Sequence, residues 1–316
     1  MTLDLPTPSQ AFRIGTRGSP LALAQAHETR DRLAEAHDLP RAAFEIVVIK
    51  TTGDQVQDRP LKEIGGKGLF TREIEEDLLA ERIDIAVHSM KDMPVEQPTG
   101  LLLDTYLPRE DPRDAFISAS ATSITDLPEA TTVGTSSLRR KAQVLNRRPD
   151  LKVVEFRGNV QTRMRKLTDG VAACTFLAMA GLNRLGMVNI PASPIDTDAM
   201  LSAVAQGAIG IERRTEDNRA AELLQPIHDR TTGQQLVAER AFLAALDGSC
   251  ETPIAGLATL DGRTVHLTGE ILRADGSESI SDSASAPIED GTELGQELAQ
   301  NLLTRAGPNF FDWRES

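Results

Sequence analysis

The first two hundred residues alternate between short β-branched apolar runs and segments with helical apolar spacing. Phe12–Gly15 reads as a strand. Ser19-Pro20 then supplies an N-cap and a proline at the first helical position, opening a helix through about Ala36. Phe44–Ile49 is the next strand. The loop Ile64-Gly65-Gly66-Lys67-Gly68 leads into a helix over about Phe70–Glu81, followed by strands at Ile83–His88 and Leu101–Leu107. Pro108–Arg113 is polar and holds two prolines, which predicts a crossing between domains. A second unit repeats the alternation. Its strands are Ala115–Ser118, Thr132–Gly134, Leu151–Phe156 and Val171–Leu177. Its helices start at Ser136 or Ser137, at Asn159, and after the last of these strands as far as about Leu185. Gly207–Glu212 reads as one more strand that returns to the first unit. Such alternation argues for mainly parallel sheets.

The last ninety or so residues change character. A helix over about Gln234–Leu246 ends in Asp247-Gly248. Runs at Ile254–Leu260, Arg263–Arg273 and Glu278–Ser283 are joined by Asp261-Gly262 and Asp275-Gly276, both turn signals. Leu294, Leu298 and Leu302 mark a final amphipathic helix. This part predicts a small α+β domain with an antiparallel sheet. No internal repeat or low-complexity tract interrupts the chain.

At 316 residues the prior is two or three domains. The longest near-apolar stretch, Val171–Leu182, is too short to span a membrane. The N-terminus has no basic start and no apolar core of a signal peptide, and two cysteines are too few for a disulfide framework, so a cytoplasmic protein is expected. The formal net charge of -13 argues against general nucleic-acid binding, and 3% aromatics offer few base-stacking platforms. The basic residues are uneven, however. Arginines number 27 against 7 lysines, and ten of the 34 basic residues fall within Arg139–Lys166 beside only Asp150 and Glu155. Arginine forks match carboxylates and phosphates, so this cluster suits a small polyanion.

Several familiar motifs fail. Gly65-Gly66-Lys67-Gly68 lacks the hydroxyl residue of a phosphate loop after its lysine, and Ala205–Gly210 lacks the first glycine of a dinucleotide fingerprint. His88 and Ser89 are adjacent on a strand, so they face opposite ways and form no base–nucleophile pair. The five histidines and two cysteines show no metal-ligand spacing. What remains is polar residues at strand ends and helix starts: Arg17 and Ser19; His88 to Asp92; Ser136, Ser137, Arg139 and Arg140; Arg157 to Asn159. Ligands of open α/β sheets bind there, and helix N-termini favour anions. Cys250 lies in the turn-forming run Asp247–Glu251, whereas Cys174 sits in an apolar run and reads as core.

Nine segments now carry a resemblance: TRGSPLALAQA from Thr16, IGGKGLFTREIE from Ile64, DIAVHSMKDMP from Asp84, REDPRDAF from Arg109, VGTSSLRR from Val133, RGNVQTR from Arg157, LAMAGLNRLG from Leu177, QGAIGIE from Gln206 and GSCETPIAG from Gly248. In this order they resemble the porphobilinogen deaminase (hydroxymethylbilane synthase) family of tetrapyrrole biosynthesis. The resemblance implies two periplasmic-binding-protein-like lobes facing each other across a cleft: residues 1–108 with 202–225, and 109–201. It implies a C-terminal domain, 226–316, carrying a cofactor cysteine, here Cys250. It further implies a transferase that joins four porphobilinogen molecules head to tail, releases ammonia, and uses a dipyrromethane bound through a thioether. No metal is implied.

By the same resemblance Asp92 is the catalytic carboxylate, stabilising the cationic methylene-pyrrolenine left when ammonia departs. Fixed charge of this kind contributes roughly 3–4 kcal/mol per key group. Cys250, Lys91, Ser137, Arg139, Arg140, Arg163 and Arg184 match cofactor-binding positions. Arg17, Ser19, Lys67 and Arg157 match substrate-binding positions. A two-ring cofactor and four substrates would bring twelve carboxylates to one site, which explains the arginines chemically. The chain departs from the pattern at Glu63 and at Ala173-Cys174. The resemblance also implies a monomer that hands its product to uroporphyrinogen-III synthase, with no nucleic-acid or membrane partner. The alternative from another class is a non-catalytic small-anion-binding protein of periplasmic-binding-protein type; it leaves GSCETP, the third domain and Asp92 without a reason.

Overall fold

The computed structural model describes residues 3–55, 71–248 and 252–311. The chain divides into two units, Met1–Arg109 with Ala208–Gly233, and Glu110–Gly207 with Gln234–Ser316. Among the described residues no helix is long and apolar enough to cross a membrane.

The first unit is built on a sheet of β1 (Phe12–Arg17), β2 (Phe44–Ile49), β3 (Ile85–Ser89), β4 (Leu101–Tyr106) and β10 (Ile209–Arg214), in the order β2-β1-β3-β10-β4. Four strands share one direction, and β10, which brings the chain back, runs against them. Strand β3 is buried on both faces, and alternation sorts its side chains. Ile85 and Val87 join Phe12, Ile14, Phe44, Ile209 and Ile211 in a core that includes Ala26 and Leu33 of helix α1 (Pro20–Ala36). Ala86 joins Ile49, Ile83 and Leu101 in a second core with Ile74 and Leu78 of Arg72–Leu79. The latter helix is α3, after a short α2 at Thr52–Gln55.

The second unit has a sheet of β5 (Asp114–Ser118), β6 (Thr132–Gly134), β7 (Lys152–Val154), β8 (Cys174–Ala178) and β9 (Ala192–Pro194), in the order β7-β6-β8-β5-β9. Here β5 is the reversed strand. In each sheet, then, the strand that receives the chain on entering the unit is the one that opposes the rest. Helices α4 (Leu138–Arg147), α5 (Val160–Thr168) and α6 (Met179–Arg184) connect these strands, and Ser137 and Asn159 cap α4 and α5 with their side chains. In the same unit β11 (Ile254–Asp261), β12 (Thr264–Leu272) and β13 (Ser279–Pro287) form an antiparallel sheet packed by α9 (Gly291–Ala306). Leu294, Leu298 and Leu302 of α9 are all buried.

Several boundaries differ from the sequence expectation by a few residues, and β9 has no counterpart in it. Strand β8 starts at Cys174 rather than Val171, because α5 ends in a tight turn in which the Val171 amide donates to the Lys166 carbonyl, leaving Val171 exposed. Helix α8 (Arg230–Ala245) starts four residues early, because the Asp229 carboxylate accepts from the Thr232 amide at 2.7 Å. The short α7 (Asn218–Leu224), capped by Asp217, buries Ala220, Leu223 and Leu224 on one face and has no counterpart in the sequence expectation.

Candidate active site

In the first unit, parallel pairing of β1 with β3 sets their carboxyl ends side by side. Arg17 ends β1, Ser19 caps α1 by accepting from the Ala22 amide, and Met90–Asp92 form a single 3₁₀ turn directly after β3. Nη1 of Arg17 stands 4.0 Å from Oδ2 of Asp92, and both side chains remain partly open to solvent. They line a small open pocket with Ser19, Gln25, His88 and Ser89. Lys91 is half-buried in the same turn.

His88 and Ser89 diverge as strand alternation requires. Ser89 bonds the Gln25 amide on the α1 side at 2.9–3.0 Å. His88 Nε2 lies 3.1 Å from Oε2 of fully buried Glu212 on the α3 side. Glu75 of α3 is buried on that side too, and burial, aided by the charge of Glu212, pushes its carboxyl above the usual range.

In the second unit, the sequence expectation left out the residue at the centre. Asp114, the first residue of β5, is fully buried between Arg139 and Arg140. Its Oδ1 accepts from Nε and Nη2 of Arg140 at 3.2 and 2.7 Å, and its Oδ2 lies 2.8 Å from Nη1 of Arg139. Burial alone would raise this carboxyl, but the two guanidiniums outweigh it and hold it far below the ordinary aspartate range. Arg140 Nη1 also donates to the Phe176 carbonyl, and Arg139 Nη1 to the Leu201 carbonyl and Gln143. Both arginines are therefore about 95% enclosed and already hold an internal carboxylate.

Ser137 caps the same helix, accepting from the Arg140 amide. Arg157 follows β7, and half-buried Arg163 of α5 donates from Nε to the Gly158 carbonyl. Burial, and then the positive charges of Arg140 and Arg157, push Arg163 down to about 10. Arg184, at the end of α6, donates from Nη1 to the Gly207 carbonyl at 3.1 Å. Neighbouring Gln206 donates to the Pro112 carbonyl and to Asp114 Oδ1, so one short segment ties Arg184 to the Asp114 cluster. The close approach needs glycine: Gly207 has φ +91°, and a Cβ there would stand 2.4 Å from the Glu110 carbonyl oxygen.

This donor set fits a ligand with several carboxylates. Nε of Arg139 is buried without a hydrogen-bond partner, and the charges acting on Arg163 are positive, so added anions would satisfy a donor and relieve repulsion. Lys67 and Cys250 lie outside the described residues. Cys174 is fully buried in the sheet core, and burial pushes its thiol up to about 12. Among the described residues, no group of three or more His, Cys, Asp or Glu could hold a metal ion. Asp114 and Gln206 stood in segments singled out by sequence, REDPRDAF and QGAIGIE, without a role. A carboxylate opening an apolar strand is the signal for the first.

Two family models match. The porphobilinogen deaminase dipyrromethane cofactor-binding domain covers residues 12–222, and the porphobilinogen deaminase C-terminal domain covers 234–304. A porphobilinogen deaminase of Paracoccus denitrificans is 64% identical over 310 residues, 98% of this chain and 99% of that protein. Among solved structures, a probable amino-acid ABC transporter extracellular-binding protein of Bacillus subtilis aligns with a TM-score of 0.41 at 14% identity, over 73% of this chain and 97% of that one. The periplasmic VFT2 domain of Bordetella pertussis BvgS gives 0.40 at 13%, over 69% and 86%. With both domain models matched in order and one relative this similar over nearly its whole length, the chain belongs to the porphobilinogen deaminase family, transferases of tetrapyrrole biosynthesis.

Proposed function

We propose that this chain joins four porphobilinogen molecules head to tail into linear hydroxymethylbilane, releasing one ammonia per substrate. The carrying observation is Asp92, whose carboxylate is set 4.0 Å from Arg17 at the edge of a pocket formed at strand ends. Cofactor binding belongs to the matched family domain. A thioether to Cys250 as the attachment is our reading of the GSCETP segment. Bound dipyrromethane supplies the ring on which chain growth starts.

The protein's own groups do the rest. As the substrate's C–N bond breaks and the electron pair leaves with ammonia, positive charge develops on its methylene carbon and ring. Asp92, fixed in its 3₁₀ turn, stabilises that charge without reorganising. Arg17 holds one substrate carboxylate and keeps Asp92 in place, with Ser19, Lys67 and Arg157 as further substrate contacts. Lys91, Ser137, Arg139, Arg140, Arg163 and Arg184 take the cofactor carboxylates. The internal pairing of Arg139 and Arg140 with Asp114 supports this reading, because a neutralised pair can stay buried and still offer its unused N–H groups to an anion.

We read the chain as three domains, the second unit comprising a lobe and the antiparallel C-terminal domain. We further propose a cytoplasmic monomer that hands its product to uroporphyrinogen-III synthase. A purely anion-binding role gives Asp92 no task, and family membership does not favour it. The purified protein incubated with porphobilinogen should release ammonia in step with substrate loss and yield a linear tetrapyrrole. Binding of porphobilinogen without ammonia release would reverse the conclusion in favour of the binding protein.

A further inference from the structure

We propose that Glu270 is a positioning residue for Arg139, acting through Gln143. Glu270 lies on β12 of the antiparallel sheet, and Arg139 and Gln143 lie one turn apart on α4. Gln143 is fully buried, with both amide N–H groups donated and its oxygen accepting. Its Nε2 donates to Glu270 Oε2 at 2.6 Å and to the Leu201 carbonyl at 3.0 Å, and its Oε1 accepts from Arg139 Nη1 at 2.9 Å. A flipped amide would set donor against donor at Arg139 and acceptor against acceptor at Glu270. A carboxylate accepts only, so Glu270 fixes which end of Gln143 meets the guanidinium.

Glu270 is itself held. Ser279 of β13 donates to Oε1 at 2.7 Å, and Arg147 Nη2 stands 4.0 Å from the same oxygen. A second clamp lies one turn further along α4, where Asn146 Nδ2 donates to the Gly276 carbonyl at 2.9 Å. The β12–β13 turn can sit this close only because Gly276, at φ +78°, has no Cβ; one would stand 2.7 Å from the Asn146 amide nitrogen. The antiparallel sheet thus grips α4 at two points and sets the direction of Arg139, leaving its Nε buried and unpaired. In β-register Glu270 is opposite Ala255, five residues after Cys250 in sequence. The same sheet therefore carries both the chain leading from the proposed attachment residue and the group that orients a proposed carboxylate ligand.

The inference rests on Arg139 binding a cofactor carboxylate, and the experiment separates the two. Apoprotein is made in cells that cannot synthesise porphobilinogen. Porphobilinogen is then added, and the covalent adduct is followed by intact mass against time, with melting recorded for every variant. Glu270→Leu should slow adduct formation about tenfold, the cost expected for one misdirected charge-assisted hydrogen bond. Glu270→Gln, which keeps an acceptor, should restore a rate within about threefold of the parent. Arg139→Leu should also be slow, and adding Glu270→Leu to it should slow it no further, since the relay has lost its target. A merely structural role would instead lower melting and multiply with Arg139→Leu. If Arg139→Leu is slow but folded Glu270→Leu loads at the parental rate, or the two effects multiply, the relay is overturned. If Arg139→Leu itself loads normally, the carboxylate reading of Arg139 fails. Should Glu270→Leu not fold, Gln143→Met poses the same question from the helix side: slow loading supports the relay, and parental loading overturns it.

Discussion

Oδ1 of Asp114 accepts a 2.7 Å hydrogen bond from Nη2 of Arg140 where both side chains are buried. Removing one partner of such a pair leaves the other charge uncompensated, at a cost of about 3–5 kcal/mol. Asp114→Asn should therefore lower the melting temperature sharply at neutral pH. The sign with pH follows from the carboxyl, which the two arginines hold well below its unfolded value. Its stabilisation is complete above about pH 4 and is lost as pH falls from there toward the depressed folded value. Melting temperatures of parent and variant should converge below about pH 4. A constant gap down to about pH 2 would contradict this account.

Glu75 runs the opposite way. Burial and the nearby Glu212 raise its carboxyl above the unfolded value, so its ionisation costs stability at neutral pH. Glu75→Gln removes that cost and keeps the side chain's shape. The variant should melt about 2 °C or more above the parent at pH 7. The gain should vanish below about pH 4.5, where the parent's carboxyl is protonated folded or unfolded. Lower melting of Glu75→Gln at pH 7 would show that the ionised carboxylate stabilises the fold.

The element order and the strand-end clusters were legible in sequence because they rest on local signals. Ser19-Pro20, Ser137 and Asn159 cap where their chemistry says, and His88 and Ser89 part as strand alternation demands. Asp114 was not legible as the partner of Arg139 and Arg140, which lie 25 and 26 residues further along the chain. Their pairing depends on β5 running against β8, a topological fact with no sequence period. Glu270 was hidden for the same reason, 127 residues from Gln143. It looked like an ordinary polar position on an antiparallel strand. Long-range polar pairing, unlike apolar periodicity, leaves no local trace.

Gly207 should tolerate no side chain. At φ +91°, a methyl group on its Cα would meet the Glu110 carbonyl oxygen at 2.4 Å, and backbone movement is the only relief. That movement would shift the carbonyl that holds Arg184 and the Gln206 amide on Asp114. Gly207→Ala should lose about 1–3 kcal/mol of stability from the strained backbone. It should also load cofactor more slowly than an equally destabilised variant of the α9 core, such as Leu302→Ala. Equal loading by the two would confine Gly207 to a folding role.

Asp92→Asn keeps shape and removes charge. Turnover should fall by about a hundredfold to a thousandfold, while the covalent adduct and the melting temperature stay near parental values. Arg17→Leu removes the cation that stands 4.0 Å from Asp92 and should raise the porphobilinogen concentration needed for half-maximal rate as well as lowering the rate. Activity of Asp92→Asn within about tenfold of the parent would take the carboxylate out of the chemical step.

The two cysteines should separate cleanly by reactivity. Cys174 is fully buried between Phe116, Phe176 and Val133, and burial pushes its thiol up to about 12. At pH 8 its thiolate fraction is on the order of one in ten thousand, and the thiolate is the nucleophile. Iodoacetamide should therefore leave Cys174 unlabelled in the folded protein and label it only in urea. Apoprotein should take one label, at Cys250, and protein already carrying the proposed adduct should take none. Cys174→Ala should retain the adduct and activity, losing about 1 kcal/mol to the small void it leaves. Cys250→Ala should fold, carry no adduct and turn over nothing. It should also melt below the loaded parent, because a ligand that binds only the folded site shifts the folding equilibrium toward it. Intact mass decides the assignment: an adduct persisting in Cys250→Ala, or lost from Cys174→Ala alone, would move the attachment away from Cys250.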